Sequence, residues 1–201
     1  STRADYGLLK DLIKKFKSSK NIDTKIIACG THFSSKFGST YKEINNDQFK
    51  IDIPIKIKMS DDSAFGSSKF FSGFANKFNE AVKKINPDLI VILGDRFEIL
   101  AAATIAVIHN IPICHLHGGE STEGLIDDTI RHAITKLSSI HFVSHKKYKD
   151  RIIQMGENPS NVHHVGALGL NSINIKNLIK KNKLEKLLKI KMKDKNLIMT
   201  Y

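Results

Sequence analysis

The sequence predicts an α/β protein in which a parallel sheet carries helices on both faces. Three observations lead there. Short apolar, β-branched runs recur as TKIIACG (24–30), DLIVILG (88–94) and IPICHLH (111–117), apolar enough to be buried on both sides. Helical stretches separate them, and strands alternating with helices of this length require crossovers that cover a parallel sheet. The 201 residues, 41% hydrophobic, suffice to bury a core of ordinary domain size.

In chain order, STRADYGLLK is a loop running into a helix, and TKIIACG is the first strand. Residues 65–86 set Phe70, Phe71, Phe74, Phe78, Val82 and Ile85 on one stripe at the 3.6-residue period, a core face rather than an aromatic ligand cage. DLIVILG is a strand, 97–109 a nearly all-apolar helix despite Glu98, and IPICHLH the next strand. Two aspartates open a helix over 126–138, and IHFVSH and VHHVG predict short strands around the helix KKYKDRIIQMG. Residues 1–170 are expected to form one domain lacking its opening strand, and 171–195 a lysine- and asparagine-rich linker. The last residues, 196–201, are expected to begin a second domain as its first strand.

The net charge of +12 invites a nucleic-acid partner. The excess is lysine spread along helices and gathered in NIKNLIKKNKLEKLLKIKMKDKN, without the aromatic platform such binding uses, so no nucleic acid is expected. No run of about 18 apolar residues exists to span a membrane, and STRADYGLLK lacks a secretory apolar core. Cys29 and Cys114 lie in apolar strands and are expected as buried reduced thiols, which favours the cytoplasm. Only four of the 32 basic residues are arginine: Arg3, Arg96, Arg131 and Arg151. Their rigid fork suits carboxylate or phosphate as lysine does not, and three of them fall in glycine- or acid-rich loops or at helix starts.

An open parallel sheet binds ligands at the carboxyl ends of its strands, and three loops there carry chemistry. In GDRFE, Gly94 permits a turn that leaves Asp95 at a strand tip with Arg96 beside it. The structural alternative makes Asp95 the cap of the following helix and Glu98 a first-turn acid matched to its dipole. The second loop, HLHGGESTEGLIDDTIRH (115–132), crowds three histidines, four acids, one arginine and three glycines into eighteen residues. His115 and His117, two apart on a strand, are expected on one face. Gly118 and Gly119 allow a tight turn that returns Glu120 to the strand tip. Asp127 and Asp128 lie in a first helical turn, with Arg131 and His132 one turn on. Dipole matching and an Asp127–Arg131 pair at i,i+4 would account for the aspartates and the arginine, but not for the histidines, the glycine pair or Glu120. The third loop, GTHF, sets His32 at another tip, where a structural histidine is the simpler expectation. Arg3 would sit at the tip of the absent first strand.

STRADYGLL, GTHF…KFGST, ILGDRFE, HLHGGESTEGLIDDTIRHAITKLS and QMGENPSNVHHVGALGL, taken together and in order, resemble the hydrolysing UDP-N-acetylglucosamine 2-epimerases of sialic-acid-type sugar biosynthesis. The resemblance implies a Rossmann-like domain, the first half of a two-domain, glycosyltransferase-B-like enzyme with substrate between the halves and the nucleotide held largely by the second. It implies conversion of UDP-N-acetylglucosamine, or a related UDP- or GDP-linked sugar, to the free 2-epimer and nucleotide diphosphate. No cofactor or metal is expected, and the full-length protein is expected to be a homo-oligomer. The family's arginine in its glycine-threonine-arginine loop falls on Arg3, with Ser1 where glycine is usual. Its aspartate in the glycine-aspartate-arginine loop falls on Asp95, its acidic pair on Asp127 and Asp128, and its arginine on Arg131. Some relatives carry glutamate in place of His117, which leaves open whether His117 or Glu120, three residues later, is the acid or base there. Arg3, His32, Arg96, His115, Gly118, Gly119 and His132 are expected to bind substrate.

The chemistry suits that set. Losing the diphosphate from C1 and a proton from C2 gives a glycal, to which water adds to release the inverted sugar. The C2 proton is hardly acidic, so nucleotide departure leads and builds positive charge at C1. Carboxylates stabilise that charge, one of Asp95, Asp127, Asp128 or Glu120 collects the proton, and arginine assists the diphosphate. Two other readings are open: a metal-dependent hydrolase with His115, His117 and Asp95 as ligands, and a non-catalytic sugar-nucleotide-binding half.

Overall fold

Four strands run parallel in one sheet and follow one another in chain order: β3 (Ile90–Leu93), β4 (Ile113–Leu116), β5 (Ile140–Val143) and β6 (Val162–His164). The structure is a computed structural model and describes residues 1–58, 61, 63–124, 126–170 and 178–199. Leu93, Leu116, Phe142 and His163 share one rung of the ladder, which fixes the residues beyond it as neighbouring strand tips. The crossovers are α4 (Phe97–Ile108), α5 (Ile126–Leu137) and α6 (Lys146–Gln154), close to the expected spans.

The pleat explains how both faces are covered. Ile92 and Ile113 pack with Ala103 and Ala106 of α4 and Ile130 and Ile134 of α5. The alternate residues Leu93, Cys114 and Leu116 meet Leu8, Leu9 and Leu12 of α1 (Arg3–Ser18) on the other face. The Thr2 hydroxyl accepts the Asp5 N–H while the Asp5 carboxylate takes the Thr2 N–H, a reciprocal cap that starts α1. In α3 (Ala64–Ile85), Phe70, Phe74, Phe78 and Val82 are buried, as the stripe predicts. Each buried phenylalanine contributes about 1.5–3 kcal/mol, so this face is committed to the core.

The expected single sheet is two. β1 (Ile27–Ala28) pairs in parallel with β2 (Ile53–Pro54), and no ladder joins β1 to β3. Helices hold the two sheets together: Tyr6 and Ile13 of α1 pack on Ala28, while α3 and Phe97 pack against Ile27, Ile53 and Ile90. β2 had no strand signal because Asp52 and Pro54 interrupt its apolar run. The short α2 (Tyr41–Asn46), rich in asparagine, is likewise not apparent in the sequence. Within the expected linker a helix forms, α7 (Lys181–Leu188); residues 171–177 lie outside the described residues. Residues 196–199 carry no strand pairing, and 200–201, the rest of that expected strand, lie outside the description. Cys29 and Cys114 are buried free thiols. Among the described residues no helix is long and apolar enough to cross a membrane.

Candidate active site

At the tip of β3 the chain turns at Gly94, whose φ of +80° lies in the left-handed region. Arg96, not Asp95, stands at the N-cap position of α4, and it makes no side-chain capping bond. Asp95 pairs instead with Arg131 of α5. The Arg131 side chain is only 9% exposed, so the pair is shielded from most solvent screening. Arg131 also donates through Nη1 to Thr122 Oγ1 at 3.0 Å. The Thr122 N–H donates to Asp128 Oδ1 at 2.9 Å, and Asp128 Oδ2 lies 3.7 Å from His132 Nε2. The Thr122 amide is the first cause of the lowered pKa of Asp128. The i,i+4 pair with Asp127 and the capping role of Asp95 are thus both replaced by a pair that joins two elements.

The two histidines of HLH do not share a face. His115 lies in β4, fully buried, with Nε2 2.8 Å from the Gly94 carbonyl and Nδ1 3.3 Å from Thr135 Oγ1. Burial pushes its pKa down to about 4. It has no surface to offer a substrate; it ties the Gly94 turn to α5. His117 leaves the strand with φ +62°, which breaks the two-residue alternation, and its N–H donates to the Phe142 carbonyl. Its Nδ1 lies 2.8 Å from Glu120 Oε1, which also accepts from Ser144 Oγ at 2.6 Å. Burial raises the Glu120 pKa, but the His117 and Ser144 hydrogen bonds outweigh it and leave the carboxyl below its ordinary value.

The glycine pair serves packing. A Cβ on Gly118 would lie 2.9 Å from His115 Nδ1, and one on Gly119 2.7 Å from both Ile152 Cγ1 and the Tyr148 carbonyl oxygen. The Gly119 carbonyl accepts from Arg151 Nη1 at 2.5 Å, so α6 holds this loop.

The remaining residues divide. Arg96 Nε lies 2.7 Å from Oε1 of the fully buried Glu98. Burial opposes the Arg96 charge, but Glu98, and at longer range Asp5 and Asp127, outweigh it and raise its pKa. Asp127 lies in the first turn of α5, beside Asp128. His32 is buried, its Nδ1 2.9 Å from Thr40 Oγ1, an environment that accounts for it structurally. Arg3 is exposed on α1, with Nε 2.9 Å from Glu43 Oε1. The edge thus gathers Asp95, His117, Glu120, Asp128, Arg131 and His132, with Arg96 and Asp127 beside them; it leaves His115 inside and His32 and Arg3 on the β1 side. His117 Nε2, Arg131 Nε and His132 Nδ1 are buried without a hydrogen-bond partner among the described residues. Among those residues no group of three or more histidine, cysteine, aspartate or glutamate side chains could hold a metal ion. Thr122, Thr135, Ser144 and Arg151 complete the network and carry no sequence signal beyond the rarity of arginine.

A charged constellation at the carboxyl edge of a parallel, helix-covered sheet defines the class: an α/β domain of the kind found in UDP-N-acetylglucosamine 2-epimerases. The chain matches the fold of the Neisseria meningitidis UDP-GlcNAc 2-epimerase crystallised with UDP-GlcNAc at a TM-score of 0.77 and 18% identity, over 93% of this chain and 48% of that one. The Rickettsia bellii UDP-N-acetylglucosamine 2-epimerase gives 0.76 at 17%, over 95% and 50%. Residues 14–201 match the family described as UDP-N-acetylglucosamine 2-epimerase, and the chain belongs to that family. It is 41% identical over 201 residues, all of this chain and 52% of the relative, to the Campylobacter jejuni GDP/UDP-N,N'-diacetylbacillosamine 2-epimerase (hydrolyzing). A Legionella pneumophila UDP-N,N'-diacetylbacillosamine 2-epimerase (hydrolyzing) is 41% identical over 172 residues, 86% of this chain and 45% of the relative. The chain spans about half the length of the curated relatives it matches.

Proposed function

We propose that the full-length protein is a hydrolysing nucleotide-sugar 2-epimerase that releases a free 2-epimerised acetamido sugar and a nucleotide diphosphate through a glycal. The observation that supports this best is the juxtaposition of the Asp95–Arg131 pair with the His117–Glu120 pair at adjacent strand tips. In this reading Asp95, Asp127 and Asp128 set a negative field at C1 as the C1–O bond breaks, and Arg96 and Arg131 favour the departing diphosphate. None of these steps calls for a redox cofactor. The names of the 41% relatives support a GDP- or UDP-linked N,N'-diacetylbacillosamine over N-acetylglucosamine, whose product would be of the N-acetylmannosamine type. The two buried thiols suit the reducing cytoplasm. A metal-dependent hydrolase is less well served, because His115, His117 and Asp95 are each engaged elsewhere.

The test is product analysis of the full-length protein offered UDP- and GDP-linked acetamido sugars in heavy water. One deuterium at C2 of the released sugar, with ¹⁸O from the C1 bridge retained by the nucleotide, is expected. A product that keeps its original C2 hydrogen sinks the glycal route.

A further inference from the structure

The four arginines differ in which nitrogens they spend on the protein. Arg131 commits Nη2 to Asp95 and Nη1 to Thr122, and Arg151 commits Nη1 to the Gly119 carbonyl. Arg3 is held through Nε, but its side chain and that of its partner Glu43 are 73% and 43% exposed, so water competes for both. Arg96 is also held through Nε, at 2.7 Å, and its partner Glu98 is fully buried. Its Nη1 and Nη2 have no acceptor among the described residues. The guanidinium also lies over the Phe97 ring, 5.7 Å from its centroid, and Phe97 is seated edge-on against Phe70 of α3. Two contacts thus fix the plane of Arg96 and leave open its outer edge, the fork that matches phosphate.

Stability does not account for Glu98. In the first turn of α4 an exposed acid would complement the helix dipole equally well. Glu98 is instead buried, with Oε2 lacking a hydrogen-bond partner among the described residues, and a buried ion pair rarely outperforms an apolar side chain of its size. Oε1 stands 3.2 Å from where a Cβ on Gly30 would lie, so the carboxylate occupies the gap between the tips of β1 and β3, which no ladder closes. It holds Arg96 at that gap, on the edge where an open α/β sheet takes its ligand.

We propose that Glu98 is a positioning residue, which holds Arg96 by Nε so that Nη1 and Nη2 together grip the diphosphate of the nucleotide sugar. This rests on the epimerase reading above. Glu98 touches neither sugar nor phosphate and takes no proton; it acts only through Arg96.

Calorimetric binding of UDP and GDP to the full-length protein, with melting curves of the same samples, tests this. Arg96→Gln is expected to weaken the better-bound nucleotide on the order of 10–100-fold. Glu98→Gln is expected to weaken it roughly 3–30-fold, and to add less than about 2-fold in the Arg96→Gln background. The melting temperature of Glu98→Gln is expected to match or exceed that of the wild type, because the amide fills the same space without a buried charge. A lower melting temperature with unchanged nucleotide affinity, or independent effects of the two substitutions on affinity, overturns the proposal. A second measurement leaves position 98 untouched. The wild-type Arg96 Nε–H signal, assigned by its loss in Arg96→Gln, is expected to exchange slowly with solvent; exchange as fast as that of Arg3 also overturns the proposal. A wild type that binds nucleotide diphosphate but does not epimerise sinks the epimerase reading, while the affinities still decide the role of Glu98. One that binds neither UDP nor GDP sinks both.

Discussion

Asp95 and Arg131 lie 36 positions apart in sequence and form an ion pair between the tip of β3 and the buried side of α5. Because the aspartate is 22% exposed and the arginine 9%, removing the acid leaves a cation with little water to replace it. Asp95→Asn is expected to cost roughly 1–3 kcal/mol of stability, between the values for surface and buried pairs. Turnover by the full-length protein should fall on the order of 10²-fold or more. Melting curves and product release measured together check this; unchanged activity would leave the pair a purely structural clamp.

Asp128→Asn separates charge from geometry. The amide oxygen of asparagine can still accept the Thr122 N–H that Asp128 accepts at 2.9 Å, so the loop should keep its place. Turnover should nevertheless fall, because the carboxylate charge is gone. Equal losses of melting temperature and activity would count against a role for that charge.

Gly119→Ala tests the glycine pair. The position combines φ +72° with two backbone- or core-limited contacts at 2.7 Å from α6. Left-handed strain and overpacking together predict a loss of roughly 2–4 kcal/mol. A fall in melting temperature of about 5–15 °C is the readout. A variant as stable as the wild type would show that the loop and α6 separate freely.

Acid should weaken the fold before its carboxylates protonate. Burial lowers the pKa of His115 and His32 from 6.5 to about 4, and lowers that of His141 as well. Between those values the unfolded chain binds protons that the folded chain refuses. The stabilising contribution is therefore complete above about pH 6.5 and is lost as pH falls toward 4, at up to about 1.4 kcal/mol per pH unit for each histidine. Denaturant unfolding at pH 7, 6 and 5 should show that slope, and His115→Gln should flatten it. Constant stability over this range would contradict the burial of these rings.

The 201-residue chain alone is expected to release no nucleotide diphosphate, because it spans only about half the length of the curated relatives it matches. Steady release by this chain, scaling with its concentration, would contradict the two-domain reading.

The main strands and helices were legible because apolar runs and the 3.6-residue stripe are local signals. The break between β1 and β3 was not, since hydrogen-bond partners depend on how helices place the strands. At the site, residue types were legible and partners were not. Nothing in the spacing of Asp127 and Arg131 reveals that Arg131 reaches Asp95 instead. The pairing of His115 and His117 on one face failed at a single dihedral, the φ of +62° at His117, which alternation cannot anticipate. Ser144 and Thr122 are ordinary loop hydroxyls until the fold brings carboxylates and a guanidinium to them.

The order of the main sheet bears on how the chain comes together. β4, β5 and β6 each pair with the strand synthesised immediately before, joined by a helix that packs as it forms. Such growth is sequential, closing short loops one at a time, and it favours rapid assembly. The β1–β2 pair shares no ladder with that sheet and rests on helix packing alone. Amide exchange should therefore be slowest in β4 and β5, which each have a strand on both sides, and fastest in β1 and β2.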